Sequence, residues 1–264
     1  MKDVQNQADQ RGIPIQKVGV NDVHLPFQIK TKAGSFQSVL ACIRLTVDLP
    51  QEYKGTHMSR FIEVLSDWRQ KPVSNREMDA MLRDIMSRLG AQRSHIEIRF
   101  KYFIEKVAPV SGLKSLLDYD CVFEGNLGSD GPLDFILGLS VPFTSLCPCS
   151  REISDYGAHN QRGVMKVRIK YVPGRFIWIE DLVELMERQA SCPVYPLLKR
   201  EDEKFVTETA YDNAKFIEDV LRDLVLALRG QEGVTWFEVE CESFESIHNH
   251  SAYAFHQEGN RGPA

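Results

Sequence analysis

The sequence predicts an α+β fold in which antiparallel sheets carry helices on one face. Two observations support this class. Stretches of alternating apolar and polar residues, typical of half-buried strands, follow one another closely along the chain, and such neighbours pair antiparallel. In addition, the order strand, strand, helix, helix, strand, strand occurs twice. Runs of strands separated by runs of helices are typical of an α+β arrangement.

The repeated order predicts two modules, over residues 17–128 and 129–256. A glycine-rich stretch, Gly125–Gly131, marks the predicted seam between them. The polar, aperiodic ends at 1–16 and 257–264 are expected to be tails. The similarity between the modules lies in the order of elements and not in residue identity.

The first module opens with strands and a helix. Apolar residues occupy every second position over 41–49, which predicts a half-buried strand. We expect it to pair with an earlier strand near residues 24–30. Apolar residues at helical spacing then lie on one face over 61–68, which predicts the first helix.

A second helix and two strands complete the first module. Ser74 and Glu77 form a capping-box pattern ahead of an apolar helix face, and Gly90 is its predicted stop. Alternation over 96–102 and 117–123 then predicts two strands.

The second module repeats this plan with the same two kinds of periodicity. Its predicted elements are strands near 133–143 and at 164–171, helices near 177–189 and at 209–229, a strand at 237–242, and a last strand starting near 246.

Composition limits the class of protein. In 264 residues, 43% are hydrophobic and 26% charged, which suits one large or two medium globular domains. Six widely spaced cysteines predict reduced thiols and a cytoplasmic location. A formal net charge of −5 argues against nucleic acid as a partner. The polar N-terminus and the lack of a long apolar run predict no signal peptide and no membrane partner.

The most informative motif places Cys147, Cys149 and His159 within thirteen residues of a polar, turn-rich segment. Thiolate and imidazole are the ligands that a borderline-soft divalent metal selects, so we expect part of a metal site here. The absence of a second Cys or His pair nearby would leave an open coordination position, as catalysis requires. The alternatives are two buried core cysteines or a reactive thiol pair without metal, and the role of Cys149 stays open.

Three other polar segments are candidates. His248 and His250 would lie about 7 Å apart on one side of an extended strand, suited to proton transfer; the alternative is a solvated strand end. Lys54 and Arg60, in the segment that precedes the first helix, can attract phosphate, although Thr56 or Ser59 there can equally be a plain N-cap.

The third segment, residues 196–208, is dense in charge. Glu201 or Glu203 can supply a carboxylate ligand, and both share a face if the segment is extended. Lys199 and Arg200 can contact phosphate. Glu208 can cap a helix or accept paired N–H groups from a base. The alternative for the whole run is a solvated face.

Five motifs in order, KGTHMSRF (54–61), SLCPCSREIS (145–154), GAHNQRG (157–163), LLKREDEKFVTE (197–208) and ESIHNHSA (245–252), closely resemble type IB GTP cyclohydrolase I. The resemblance spans about residues 15–256. It implies a tunnelling fold with two ββαα-type modules, assembled into a homo-oligomer, a tetramer in this family, with active sites at subunit interfaces. It also implies conversion of GTP and water to 7,8-dihydroneopterin triphosphate and formate, the entry step to folate, with zinc, manganese or iron(II) as the metal.

The resemblance also implies roles for individual residues of both modules. Cys147 and His159 would be metal ligands, Glu201 or alternatively Glu203 the third, and water would occupy the remaining position. The base-anchoring carboxylate would be Glu208. His248 and His250 would transfer protons in catalysis. Triphosphate contacts would come from Lys54, Arg60, and Lys199 or Arg200, and His57 would be a further substrate-binding residue.

Two alternatives to this activity remain at the level of sequence. One is an NADPH-dependent nitrile reductase of the same fold, in which Cys147 or Cys149 attacks the substrate. The other is a non-catalytic oligomer with a structural metal. The neighbouring His159 and the acidic segment favour the cyclohydrolase.

Overall fold

The structure, a computed structural model, describes residue 5, residues 7–172 and residues 175–259, and in these it contains ten strands and six helices. In chain order the elements are β1 (Ile15–Lys30), β2 (Phe36–Leu49), α1 (Met58–Trp68), β3 (Pro72–Val73), α2 (Asn75–Leu89), β4 (Arg93–Val107), β5 (Lys114–Gly128), β6 (Asp134–Leu146), α3 (Pro148–Ile153), β7 (Asn160–Tyr171), α4 (Ile179–Glu187), β8 (Cys192–Pro193), α5 (Arg200–Asp212), α6 (Ile217–Arg229), β9 (Val234–Ser243) and β10 (Ala252–Gly259).

The chain forms two compact units. Among the described residues, unit 1 comprises those up to Lys101 together with Val122–Leu137, and unit 2 comprises Tyr102–Cys121 and those from Gly138 to Gly259. The long strands β4, β5 and β6 therefore each contribute to both units. The division into modules at residues 128 and 129 follows the order of elements and stays a prediction.

Unit 1 is built on the strand order β4-β2-β1-β3, in which β1, β2 and β4 pair antiparallel. Inward-facing residues of β2 alternate with exposed ones, as predicted. Helix α2 begins at the cap Ser74, whose hydroxyl accepts the N–H of Arg76, and ends at Gly90 with a left-handed φ of 64°. Its Met78 packs so closely over Gly125 of β5 that a Cβ there would lie 2.7 Å from the sulfur.

Unit 2 is built on the strand order β10-β9-β7-β6, in which β9 pairs antiparallel with both β10 and β7, and β8 pairs antiparallel with β6. Apolar residues of α6 are buried as this helix packs against β9 and β10. The tip of the β4–β5 hairpin also belongs to this unit. There Tyr119 donates a 2.8 Å hydrogen bond to the buried Glu187 of α4, which also pairs with Lys106. The hairpin tip is thereby fastened to the helical layer.

The predicted elements occur in the predicted order, with three corrections. The single helix expected over 209–229 is two helices, α5 and α6, and α5 already begins at Arg200. The last strand begins at Ala252 and not near 246. The stretch expected as a seam starts inside β5, since that strand continues to Gly128.

The ends of the chain are partly more ordered than predicted. Strand β1 starts at Ile15, within the expected tail 1–16, and β10 continues to Gly259, within the expected tail 257–264. The remaining parts of these tails at 1–4, 6 and 260–264 lie outside the described residues. In the part of the chain that the structure describes, no helix is long and apolar enough to cross a membrane.

Candidate functional site

Cys147 lies where β6 ends and α3 begins. Its extended backbone (φ −71°, ψ 117°) makes it the N-cap of α3, and Pro148 supplies the first helical residue with its fixed φ. The Cys147 N–H donates to the carbonyl of His159 at 3.1 Å. The thiol side chain is half-buried, whereas Cys149 is exposed on α3. This bridge brings the two predicted ligands together in space.

The hydroxyl of Ser150 forms hydrogen bonds with the same two residues. Its hydroxyl donates to the Cys147 carbonyl at 3.2 Å and accepts the His159 N–H at 3.2 Å. Cys147 and His159 are therefore fixed by backbone groups, which leaves the thiol and the imidazole to serve a ligand.

The imidazole of His159 is oriented by Gln161. Nδ1 lies 2.9 Å from Gln161 Oε1, and Gln161 Nε2 donates to Glu245 Oε1 at 3.2 Å. The buried Ser243 donates to the same carboxylate oxygen at 3.1 Å. Since Nδ1 is engaged by a carbonyl oxygen, Nε2 is the nitrogen directed to a ligand, an arrangement typical of metal-binding histidines.

The donor set fits a divalent metal in part. A thiol and an oriented imidazole are provided by adjacent segments, as zinc or a similar ion requires. Within the described ranges, no three His, Cys, Asp or Glu side chains form a group that can hold a metal ion. The described chain thus brings together the Cys147–His159 pair without a third such ligand beside it.

The predicted third ligand lies at the start of α5. The expectation that Glu201 and Glu203 share a face depended on an extended segment, but the segment is helical from Arg200. Two residues apart on a helix, these side chains point in directions about 160° apart. Glu208, seven residues on, returns to within about 20° of Glu201. Glu208 also lies within the helix and not at its start.

Asp202 fixes the position of this helix. It is fully buried and accepts hydrogen bonds from the Val110 N–H (2.8 Å), the Ser111 N–H (2.9 Å), the Ser111 hydroxyl (2.6 Å) and the Lys199 N–H (2.9 Å). Burial alone would raise the pKa of Asp202, but these hydrogen bonds, led by that of the Ser111 hydroxyl, outweigh it and lower the pKa below its usual value.

The C-terminal part of α5 packs beside the Cys147 segment. Ala210 shares a buried apolar cluster with Leu146, the residue before Cys147. The Arg151 guanidinium of α3 lies 4.6 Å from the ring centre of Tyr211. The outer face of α5 remains exposed, and there Glu208 lies 3.8 Å from Lys204. Lys199 and Arg200, at the start of the helix, are exposed as well.

His248 and His250 lie in the loop between β9 and β10, so the expected extended strand is wrong at this point. The loop contains neither glycine nor proline, which is why periodicity alone suggested a strand. The two imidazoles nevertheless lie together, stacked at 12° with ring centres 5.1 Å apart. Both histidines are exposed.

The motif over 54–61 belongs to unit 1. His57 occupies the N-cap position of α1 without a side-chain capping bond, so neither Thr56 nor Ser59 is the cap. Arg60 donates to the carbonyl of Arg88 at 2.7 Å. Lys54 is exposed. Arg60 therefore contacts the end of α2.

Sequence reasoning missed three residues around this site: Gln161, Glu245 and Asp202. All three stood inside the singled-out motifs, but the glutamine and the glutamate have no distinctive spacing there. Only the pairing of Gly163 with Ser243, which aligns β7 and β9, brings Gln161 to Glu245. Asp202 carried a usable signal, since an acidic residue three positions after a helix N-cap often accepts its N–H.

Comparison with known proteins gives a consistent result. A family profile described as type I GTP cyclohydrolase folE2 matches residues 1–254. The chain is 57% identical over 254 residues to the GTP cyclohydrolase FolE2 of Geotalea uraniireducens (strain Rf4), covering 96% of this chain and 92% of the relative. It is 52% identical over 262 residues to the GTP cyclohydrolase FolE2 of Pelobacter propionicus (strain DSM 2379 / NBRC 103807 / OttBd1), covering 99% and 100%.

Among solved structures, uricase from Arthrobacter globiformis matches with a TM-score of 0.59 at 6% identity, covering 94% of this chain and 95% of that one. A urate oxidase mutant of Bacillus sp. TB-90 matches with a TM-score of 0.53 at 8% identity, covering 94% and 99%. At such identities the likeness concerns the fold alone. Urate oxidase has a tunnelling fold, so the predicted fold class is confirmed.

Proposed function

Because this chain belongs to the type I GTP cyclohydrolase FolE2 family, it is a GTP cyclohydrolase I, and we propose that Cys147, His159 and Glu201 hold the divalent metal on which this activity depends. The enzyme is a hydrolase that opens the imidazole ring of GTP to give formate and 7,8-dihydroneopterin triphosphate, the first step of tetrahydrofolate biosynthesis. The alternatives, a nitrile reductase and a non-catalytic oligomer, are not supported.

One observation carries the metal proposal: the imidazole of His159 is oriented by Gln161 beside the half-buried Cys147 thiol. Glu201 is preferred to Glu203 because it shares its helix face with Glu208, the proposed base anchor. A bound divalent metal supplies Lewis acidity, which brings the pKa of water from about 15.7 towards 7. We propose zinc or manganese for this role, with iron(II) as a further possibility.

The remaining roles follow the chemistry of GTP. Glu208 accepts the N–H edge of guanine, which gives specificity because an analogue without those donors leaves the carboxylate unpaired. His248 and His250, stacked in one loop, hold and donate the proton that the purine nitrogen needs as its bond to C8 breaks. The triphosphate is held by the basic residues Lys54, Arg60, and Lys199 or Arg200, and His57 contributes to substrate binding.

We also propose a homo-oligomer, with the tetramer as the expected state, in which the active sites lie at subunit interfaces. The absence of a three-ligand group within the described part of one chain supports completion of the site on assembly. Analytical ultracentrifugation tests this proposal, and a monomer that turns over GTP at the full rate would contradict it.

The metal proposal is tested with metal-stripped protein and GTP, to which zinc, manganese or iron(II) is added back. Formate release and fluorescence of the oxidised pterin are the readouts. Metal-dependent release of formate by the wild type, and none by a folded Cys147→Ala variant, is the expected result. Normal turnover by that variant would contradict the assignment of Cys147.

A further inference from the structure

The side-chain amide of Gln161 lies between the imidazole of His159 and the carboxylate of Glu245. This glutamine is the second residue of β7, and only 9% of it is exposed. Its Oε1 lies 2.9 Å from His159 Nδ1 and accepts from the Ser246 hydroxyl at 3.5 Å, while its Nε2 donates to Glu245 Oε1 at 3.2 Å.

Glu245 decides which way this amide points. An ionised carboxylate accepts hydrogen bonds and donates none, so the amide nitrogen of Gln161 must face it. The amide oxygen then faces His159. Since that oxygen only accepts, Nδ1 of His159 must carry the proton, and the lone pair is left on Nε2.

We infer that Gln161 is a positioning residue for His159, and that Glu245 sets its polarity, so that the neutral imidazole presents Nε2 to the metal. This inference rests on the proposed metal site. The series of hydrogen bonds runs from Glu245 through Gln161 to His159. The bond to Glu245 sets the orientation of the Gln161 amide, and that orientation sets which nitrogen of His159 carries the proton.

The sheet fixes the position of Glu245, where this series of hydrogen bonds begins. Ser243 of β9, only 1% exposed, donates to Glu245 Oε1 at 3.1 Å. The N–H of Phe244 donates to the carbonyl of Arg162 at 2.9 Å and so continues the β7–β9 pairing beyond the end of β9. The carboxylate therefore has a defined position relative to Gln161 before any ligand binds.

The test measures cobalt(II) affinity and the cobalt absorption spectrum of the metal-stripped full chain, with GTP turnover as a second readout. Gln161→Leu removes the hydrogen bonds of residue 161 to His159 and Glu245. It is expected to weaken cobalt binding about 10–100-fold, since outer-sphere partners of metal ligands have effects of this size. The swap Gln161→Glu with Glu245→Gln reverses the hydrogen bond between positions 161 and 245 but again presents an acceptor oxygen to Nδ1 of His159, so it should recover most of the lost affinity. Gln189→Leu, which removes another half-buried hydrogen-bonded amide of the same unit, is the matched control and should bind as wild type.

Two results would overturn the inference: a folded Gln161→Leu variant with unchanged cobalt affinity, or a folded swap variant that binds no better than Gln161→Leu. Thermal melting establishes folding in each case. Retention of the cobalt spectrum by Cys147→Ala would overturn the proposed metal site itself and this inference with it. Failure of the metal site is therefore shown by a Cys147→Ala variant that keeps cobalt, and failure of the positioning role by a Gln161→Leu variant with unchanged cobalt affinity.

Discussion

The hydroxyl of Ser111 donates a 2.6 Å hydrogen bond to the carboxylate of Asp202, and this contact joins the tip of the β4–β5 hairpin to the first turn of α5. The same carboxylate also accepts the N–H groups of Val110, Ser111 and Lys199. The residue next to Glu201 is thus anchored to the sheet, while Glu201 itself faces outward.

We predict that Asp202→Asn lowers the melting temperature by roughly 3–10 °C, because an amide cannot accept all four hydrogen bonds and its NH2 group would face donors. Differential scanning calorimetry measures this shift. Glu203→Gln, on the exposed side of the same turn, is the control and should melt within about 1 °C of wild type. Equal melting temperatures for the two variants would contradict the anchoring role.

The two candidate carboxylate ligands are separable by mutation. Since Glu201 and Glu203 point to opposite sides of α5, only one of them can serve the site of Glu208. We expect Glu201→Ala to lower kcat about 100-fold or more, with loss of bound metal. Glu203→Ala should stay within about threefold of wild type. Metal content by plasma mass spectrometry and steady-state kinetics decide between them, and the reverse pattern would assign the role to Glu203.

Glu208 is expected to determine the choice of base. Glu208→Gln removes a charged acceptor for the guanine edge, which predicts a fall of about 10–100-fold in kcat/KM for GTP. Inosine triphosphate lacks the 2-amino donor and provides the comparison. The wild type should prefer GTP strongly and the variant weakly. An unchanged preference in the variant would show that guanine is recognised elsewhere.

The six thiols should differ in reactivity by position. Burial raises the pKa of Cys192 to about 11 and that of Cys241 to about 12, so both remain protonated and shielded at pH 8. Cys149 is exposed and Cys147 half-buried. Alkylation of the native protein followed by peptide mass spectrometry should label Cys149 first. Added zinc should protect Cys147, and labelling of Cys147 at the same rate with and without zinc would count against it as a ligand.

The ion pair between Glu258 of β10 and Arg229 of α6 should make the stability of the protein sensitive to acid. Hydrogen bonds from Arg229 and then His256 lower its pKa to about 2. Because the folded-state pKa is depressed, its stabilising effect is complete above about pH 4.3 and is lost as the pH falls towards 2. Glu258→Gln should therefore lower the melting temperature at pH 7 by roughly 1–4 °C and have no effect near pH 2. A difference that does not depend on pH would contradict this origin.

Most strands and the first two helices were predictable because their signals are local. Period-two alternation shows directly in β2, and the start of α2 is encoded by Ser74 and Glu77, whose side chains bond to each other. The pair Cys147 and His159 was also predictable, since both lie in one short segment that folds back on itself.

The break between α5 and α6 was not predictable, because tertiary contacts decide it. Asn213 ends α5 and donates its side-chain amide to the carbonyls of Ala190 at 2.8 Å and Ser191 at 3.2 Å. These acceptors are more than twenty residues away in sequence. The orientation of His159 was not predictable for the same reason, because the register of β7 with β9 is what brings Glu245 next to Gln161.

The order of elements in the two halves differs at two places. Without α3 and α5, the second half reads β6, β7, α4, β8, α6, β9, β10, the same succession as β1, β2, α1, β3, α2, β4, β5. Those two extra helices begin just after Cys147 and just before Glu201. A scaffold with a repeated order of elements can change at inserts between those elements without redesign of its core. Grafting altered versions of these two inserts is therefore a rational route to new activities on this fold.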